Sequence, residues 1–331
     1  MKVSVVLPVY NKAPWLRECL HSILGQTFGD FELIAVDDAS TDDSLAILRA
    51  VGDPRLRVVA LERNLGPAGA AQRAMDLAQG EYIARLDADD LMLPGRLAVQ
   101  VSYMDAHPHI GASGGTVRLF GAEEGEWTYS PDDADCRAEL VFGVPVPQGA
   151  SIMRTEVLRR HGIRYQDHWP RIGEDWFFWL SLARHASFGN VADPLILYRR
   201  GTQNIAHGQD RAATRRHRIA LVLRDLGLEP TPEEVEAHLL ASHIVPVHVT
   251  RAQVAACHRW LDRLRAWNKA SGFAPPEAME RRLRKAWDGL FNRLAARGMA
   301  PALEFLRCDG GWSLERLAYL AKARLAAVRR G

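Results

Sequence analysis

Cysteine is scarce in this chain: Cys19, Cys136, Cys257 and Cys308 lie far apart, with no CxxC pair. That spacing excludes a zinc ribbon, a thioredoxin-type redox pair and a dense disulfide framework, and it points to a reducing, cytoplasmic setting. Long apolar runs are missing too, since none approaches the roughly 18 residues of a membrane-spanning helix. The opening residues reach Pro8 and the polar Asn11 and Lys12 too soon for the apolar stretch of a secretory leader. No glycine occurs between Met1 and Leu24, which removes the GxGxxG turn of a dinucleotide-binding fold after the first apolar segment, and no P-loop is present. His107, His109, His238, His243 and His248 lack zinc-ligand spacing. Internal repeats and low-complexity tracts are absent.

What is there fits an ordinary soluble protein. The chain has 331 residues, 47% of them hydrophobic and 25% charged, enough for one large domain with an appendage. The net charge of +2 conceals an asymmetry. Residues 1–210 hold 20 Lys and Arg against 28 Asp and Glu, whereas residues 211–331 hold 22 against 12. An acidic front and a basic rear suggest two regions with different surroundings, the basic one readable as a solvated helical face. Nothing points to a nucleic-acid partner.

The front half alternates. Residues 3–9 form a valine-rich run of the kind buried on both faces of a parallel sheet, and residues 13–24 show helical spacing in Trp15, Leu16, Cys19, Leu20, Ile23 and Leu24. Strands are expected at 31–36, 56–61 and 82–86. Helices are expected after Ser40 or Thr41 as cap, through Ala50, and at 67–79. Strict alternation predicts right-handed βαβ units, hence an α/β fold with a doubly wound, mostly parallel sheet flanked by helices. Beyond residue 92 the pattern loosens: helix at 94–106, strand at 110–120, polar loop at 121–135, helix at 155–161, loop at 164–173, helix at 174–185 and a late strand at 191–198. After about residue 210 the chain reads as helix, broken near 227–230, 245–246, 272–276 and 308–311. The expected division is therefore 1–210, with a first half to residue 90, and a basic helical region at 211–331.

In open α/β sheets ligands lie beyond the carboxyl ends of the strands. Pro8 to Asn11, Asp37-Asp38, Glu62-Arg63-Asn64 and Asp87-Ala88-Asp89-Asp90 all stand at such ends, so four strand ends converge on one rim. The last of these packs three carboxylates into four residues. Like charges that close repel, and a bound Mg²⁺ or Mn²⁺, with its preference for hard oxygen ligands, relieves the repulsion. A solvated acidic turn is the plain alternative.

Four stretches in order resemble glycosyltransferase family 2, nucleotide-sugar enzymes of the GT-A fold: VSVVLPVYNKAPWL from Val3, QTFGDFELIAVDDASTDDS from Gln26, RNLGPAGAAQRAMDLAQGEYIARLDADD from Arg63 and GEDWFFWLSLA from Gly173. They cover residues 1 to about 207. The resemblance implies that Asp37 or Asp38 accepts the ring N–H of the donor's base, with Pro8, Tyr10 and Arg63 around it. Asp87-Ala88-Asp89 matches the DxD motif, which implies that Asp89 binds a Mn²⁺ or Mg²⁺ on the diphosphate and that Asp87 lies near the ribose or the metal. Asp90 is left to cap the following segment. In Glu174-Asp175 the resemblance makes Asp175 the catalytic base of an inverting transfer; N-terminal dipole compensation of the following helix is the structural alternative.

One position departs from the pattern. Where many relatives carry a Tyr-Arg-x-His loop, Tyr198-Arg199-Arg200-Gly201 places glycine. Arg199 and Arg200 then stand to grip the diphosphate directly, and His207 is the substitute metal ligand. The QxxRW pattern of polymerising relatives is absent, which implies a non-processive enzyme. The resemblance further implies a nucleoside-diphosphate sugar donor, commonly uridine-based, and a glycan or lipid-linked glycan acceptor in surface polysaccharide or lipopolysaccharide synthesis. A non-catalytic nucleotide-sugar scaffold acting through the basic helices, and a retaining transferase, are the rival readings. Residues 314–328 form a basic amphipathic helix capped by Ser313, suited either to peripheral contact at the inner face of an anionic membrane or to packing on the catalytic domain or a second subunit.

Overall fold

The structure is a computed structural model that describes residues 1–170, 172–201, 211–244, 246, 248–308 and 312–328. Two compact units make up the chain, Met1–Gln209 and Asp210–Gly331.

The first unit opens with β1 (Val3–Val9), α1 (Ala13–Leu24), β2 (Phe31–Asp37), α2 (Ser44–Arg49), β3 (Leu56–Ala60), α3 (Gly66–Leu77) and β4 (Tyr82–Arg85). It continues with β5 (Leu91–Met92), α4 (Arg96–Ala106), β6 (Ile110–Gly121), β7 (Gly125–Trp127), α5 (Asp133–Leu140), β8 (Ile152–Arg154), α6 (Thr155–Arg160), α7 (Glu174–Ala183) and β9 (Ser187–Arg200). The sheet order is β3-β2-β1-β4-β8-β6-β9-β5, with β7 paired to β6. Strands β3, β2, β1 and β4 are mutually parallel. Beyond β4 the sheet is mixed, because β8 runs antiparallel to both β4 and β6 while β9 is parallel to β6.

Valine-rich β1 is buried along its length except for Pro8, which is half-buried. One face packs Val3, Val5 and Leu7 into a core with Leu16, Cys19, Leu20 and Ile23 of α1, and the other lies beside α3, whose buried Ala70, Ala71 and Ala74 allow a close approach. The turn into β4 is tight. Ser4 Oγ accepts from Gln79 N at 3.0 Å and Gly80 N at 2.8 Å, and a Cβ on Gly80 would come within 2.5 Å of Ser4 N. Glycine is therefore required there on space alone.

Several expectations are corrected. The helix after β2 starts at Ser44, not beside Ser40 or Thr41, because both of those residues bond to Asn11 instead. The polar loop at 121–135 contains β7 and the start of α5, whose Asp132 side chain accepts from Asp135 N. The late strand begins at Ser187 and reaches Arg200, and the short strands β5 and β8 were not expected.

The second unit holds α8 (Arg211–Asp225), α9 (Pro232–Ala241), α10 (Arg251–Ser271), α11 (Pro276–Ala296), α12 (Met299–Leu306) and α13 (Leu314–Val328). Capping boxes start α9 at Thr231 with Glu234 and α10 at Thr250 with Gln253. Buried Val254, Cys257, Trp260, Leu261 and Leu264 make the inner stripe of α10, and Met279, Leu283, Ala286, Leu290 and Leu294 that of α11. In α13, Leu320 is buried while Leu314 and Leu317 are exposed, and Ser313 Oγ accepts from Arg316 N at 3.2 Å. Among the described residues no helix is long and apolar enough to cross a membrane.

One buried cation holds the middle of the first unit. Arg96, at the start of α4, donates to the carbonyls of Arg85 at 2.7 Å, Gly149 at 3.0 Å and Ser151 at 3.0 Å, and to Gln100 Oε1 at 3.0 Å. It thereby ties the end of β4 to the turn before β8. Desolvation lowers its pKa to about 9, with Asp90 and Asp87 opposing, so the guanidinium stays charged at neutral pH. Replacing it strands three buried carbonyls. Arg96→Met is expected to cost about 3 kcal/mol or more, read as a lower urea midpoint; an unchanged midpoint would mean that the clamp is not structural.

Candidate active site

The rim at the carboxyl ends of β1 to β4 is stitched together by short polar side chains. Asn11, at φ 51°, stands in the left-handed region that asparagine tolerates. Its Oδ1 accepts from Thr41 N at 2.8 Å, and its own N–H donates to Ser40 Oγ at 3.0 Å. Lys12 N donates to Ser44 Oγ at 2.8 Å. The loops after β1 and β2 thus share one hydrogen-bond network.

Asp37 and Asp38 divide their work. Asp37 is buried at the end of β2; its Oδ2 accepts from Ser40 N at 3.1 Å, while its Oδ1 has no hydrogen-bond partner among the described residues. Asp38 reaches the loop before α3, where its two oxygens accept from Leu65 N at 2.6 Å and Gly66 N at 2.9 Å. An ionised carboxylate has about four acceptor sites, so both groups keep capacity for a further N–H. Pro8 is half-buried beside them, and Tyr10 and Arg63 are exposed on adjoining loops. The predicted base-reading residues therefore occupy neighbouring loops of one rim.

The three carboxylates after β4 occupy different environments. Asp87 is the open one, with Oδ1 at 3.3 Å from Arg85 Nη2. Asp89 is 7% exposed and pairs with Lys12 Nζ at 2.6 Å. Burial pushes the Asp89 carboxyl up, and Lys12 pulls it back. Asp90 is 1% exposed; its Oδ1 accepts from Arg199 N at 2.8 Å and its Oδ2 has no hydrogen-bond partner among the described residues. Burial, followed by the charges of Asp87 and Asp89, pushes it well above the ordinary carboxylate range. Asp90 thus anchors β9 and does not cap the next segment, as the sequence had suggested. Gly149 underlies the cluster, where a Cβ would sit 3.5 Å from Asp87 Oδ2 and 3.7 Å from Asp90 Oδ2.

These donors suit a divalent cation. Asp87 and Asp89 present hard oxygens, and an ammonium already stands on Asp89 in the manner of a cation. Among the described residues no cluster of three or more His, Cys, Asp and Glu side chains is arranged to hold a metal. His207 lies outside the described residues. Arg199 does not face an open site: Nε donates to Asp89 O at 2.9 Å, the guanidinium pairs with Glu18, and it lies 4.3 Å from the Phe120 ring centroid. Arg200 pairs with Glu123 at 3.0 Å and lies over Trp127.

The Glu174-Asp175 pair opens α7 after Gly173, whose φ of 87° turns the chain into the helix. Glu174 is 8% exposed and Asp175 half-buried, with its Oδ1 accepting from Trp176 N at 2.9 Å. Burial, and behind it the charge of Asp175, pushes the Glu174 carboxyl up to about 7 against the pull of Arg85. Asp87 adds to the same upward push, so its charge and that of Arg85 both reach Glu174. Arg85, 2% exposed, connects the two acidic groups: Nη2 meets Asp87, and Nη1 donates to Tyr165 OH at 2.7 Å. Tyr165 also takes a hydrogen bond from Gln148 and stacks on Phe178 of α7 at 4.8 Å. Tyr129 is pushed up by burial and by Asp175. Arg85, Lys12 and Tyr165 were not singled out from the sequence, although a charged residue inside the apolar run Tyr82 to Leu86 must find buried partners.

Comparison with known proteins gives the arrangement a family. The family described as Glycosyl transferase family 2 matches residues 4–162. An uncharacterized glycosyltransferase of Haemophilus influenzae is 28% identical over 247 residues, covering 69% of this chain and 76% of that protein. The succinoglycan biosynthesis protein ExoO of Rhizobium meliloti is 32% identical over 192 residues, and this chain spans about half of its length, 53%. Among solved structures, S. aureus TarS 1–349 in complex with UDP-GlcNAc superposes with a TM-score of 0.61 at 19% identity, covering 91% of this chain and 89% of that one, a likeness of fold. With the ordered motifs on one rim of a parallel-then-mixed sheet, residues 4–162 form a glycosyl transferase family 2 domain, and the chain is a glycosyltransferase of the GT-A fold.

Proposed function

We propose that this glycosyltransferase moves a sugar from a nucleoside-diphosphate sugar, a UDP-sugar in the first instance, to a glycan or lipid-linked glycan acceptor, in a metal-dependent reaction that inverts the anomeric configuration. The observation that carries this reading is the link from Asp87 through Arg85 and Tyr165 to the helix that begins with Glu174 and Asp175. It is further supported by the UDP-GlcNAc bound to S. aureus TarS and by the succinoglycan role named for the rhizobial relative. The glycosyltransferase relatives favour an enzyme over the rival of a non-catalytic scaffold.

Asp37 or Asp38 accepts the base N–H, with Pro8, Tyr10 and Arg63 framing the base. Asp89 and Asp87 would hold Mn²⁺ or Mg²⁺, which when bound supplies Lewis-acid stabilisation of the leaving diphosphate. Arg199 braces the carboxylate loop and Arg200 lies at its outer edge. Within the acidic pair, burial pushes up the carboxyl of the more deeply buried Glu174, and the less buried Asp175 is the base. Asp175 removes the acceptor hydroxyl's proton as its oxygen bonds to the anomeric carbon, while the bond from that carbon to the diphosphate breaks on the opposite face. The nucleoside diphosphate leaves with the bonding electron pair.

Asp175→Asn is expected to lower kcat by roughly a thousandfold while donor affinity, measured calorimetrically, stays as in the wild type. Asp89→Asn should abolish the stimulation of donor binding by Mn²⁺. Full turnover in Asp175→Asn would remove the base assignment, and a product with retained configuration would remove the inverting mechanism.

Glu174 adds a pH signature. Its carboxyl ordinarily titrates near 4.5 and here near 7, so between those values the folded protein holds a proton that the unfolded chain has released. This contribution to stability is complete below the ordinary value and is lost as pH rises through about 7. Glu174→Gln should therefore gain on the wild type from about pH 5 to about pH 8, by on the order of 2 kcal/mol in relative stability. A pH-independent difference in melting temperature would show that Glu174 is not held protonated.

A further inference from the structure

We propose that Lys12 is a resident counter-cation of Asp89, one that a divalent metal must displace. The inference rests on the reading of Asp89 as a metal carboxylate, and its basis is the geometry of the pair. Lys12 Nζ stands 2.6 Å from Asp89 Oδ2, with the two side chains only 18% and 9% exposed. A carboxylate that deep is costly to leave alone, because desolvation is offset only by a partner. In this structure that partner is the Lys12 ammonium.

The other cations around the cluster are committed. Arg85 is buried and shared between Asp87 and Tyr165. Arg199 is fixed through its backbone N–H to Asp90 and through its guanidinium to Asp89 O and Glu18. Lys12 differs in being held at the backbone and free to turn beyond it. Its N–H is bound to Ser44 Oγ, and its carbonyl accepts from Trp15 N and Leu16 N at the start of α1. From that fixed point a flexible four-carbon stem carries a single point charge, resting 5.5 Å from the Trp15 ring centroid.

An ammonium and a dication cannot share one partly desolvated carboxylate oxygen without strong repulsion. Lys12 therefore competes with the metal and weakens metal binding to the donor-free enzyme. Once displaced, its ammonium remains on the same rim, next to Asn11 and two residues from Tyr10 in sequence, where an anionic diphosphate offers the next favourable partner. Metal and donor then reinforce each other's binding, and Lys12 carries part of that coupling.

The test measures Mn²⁺ binding to the full, nucleotide-free chain by electron paramagnetic resonance of the unbound ion, a readout that needs no turnover. Lys12→Met is expected to tighten Mn²⁺ binding about tenfold or more, and Lys12→Gln, which keeps a polar side chain without the charge, should do the same if the methionine variant folds poorly. Lys12→Arg should remain as weak as the wild type. Asp89→Asn in the Lys12→Met background should cancel the gain. Unchanged or weaker binding in both neutral variants, while Asp89→Asn still lowers it, would overturn the role of Lys12 and leave Asp89 intact. Loss of any effect of Asp89→Asn in either background would overturn the reading of the metal site itself.

Discussion

Acidic groups brought together out of water repel one another, and this site is built around that problem. Asp87, Asp89 and Asp90 share one turn, and Glu174 and Asp175 approach from α7. What makes the assembly tolerable is Arg85, a guanidinium at the end of a strand with no exposure to speak of. Its charge offsets that of Asp87 directly and of Glu174 at longer range, and its hydrogen bond to Tyr165 ties the loop before α7 to the sheet. Arg96 secures the same strand end from the other side by binding the carbonyl of Arg85. Removing either guanidinium would expose an imbalance that packing alone cannot correct.

Around this centre the loops are held by capped and bridged polar groups instead of apolar contacts. Asn11 joins the loops after β1 and β2, Asp38 joins those after β2 and β3, and Asp90 joins the carboxylate turn to β9. Each bond satisfies a backbone N–H in a loop, at a helix start or near a strand end that would otherwise need water. The same residues that define the family's motifs therefore also have a structural duty. This double use explains why a helix-capping reading and a recognition reading of Asp37-Asp38 could not be separated by inspection of the sequence.

The alternating front half was legible because β1, β2 and β4 are almost wholly buried and, with the half-exposed strand β3, carry mostly apolar runs, while α1 and α3 show clear helical spacing. The acidic ends of those strands marked the rim for the same reason. What escaped was short or non-local. Strands β5 and β8 have two and three residues and are defined by pairing with distant partners, Leu91 with Leu197 and Ile152 with Ala84, so no local period announces them. Helix α5 begins in an acidic run whose cap, Asp132, looks like any polar loop residue. Arg199 read as a free phosphate grip because nothing in its own segment reveals Glu18 or the Asp89 carbonyl. Lys12 was passed over because its partner lies 77 residues away in sequence.

The bridging role of Asp38 has one further consequence. Because its carboxylate orders Leu65 and Gly66 at the head of α3, the wall beside the base in the proposed donor site would be built by the fold's own hydrogen bonds. Association with such a preformed surface forfeits little conformational entropy. Recognition at this wall is then closer to filling a mould than to shaping one.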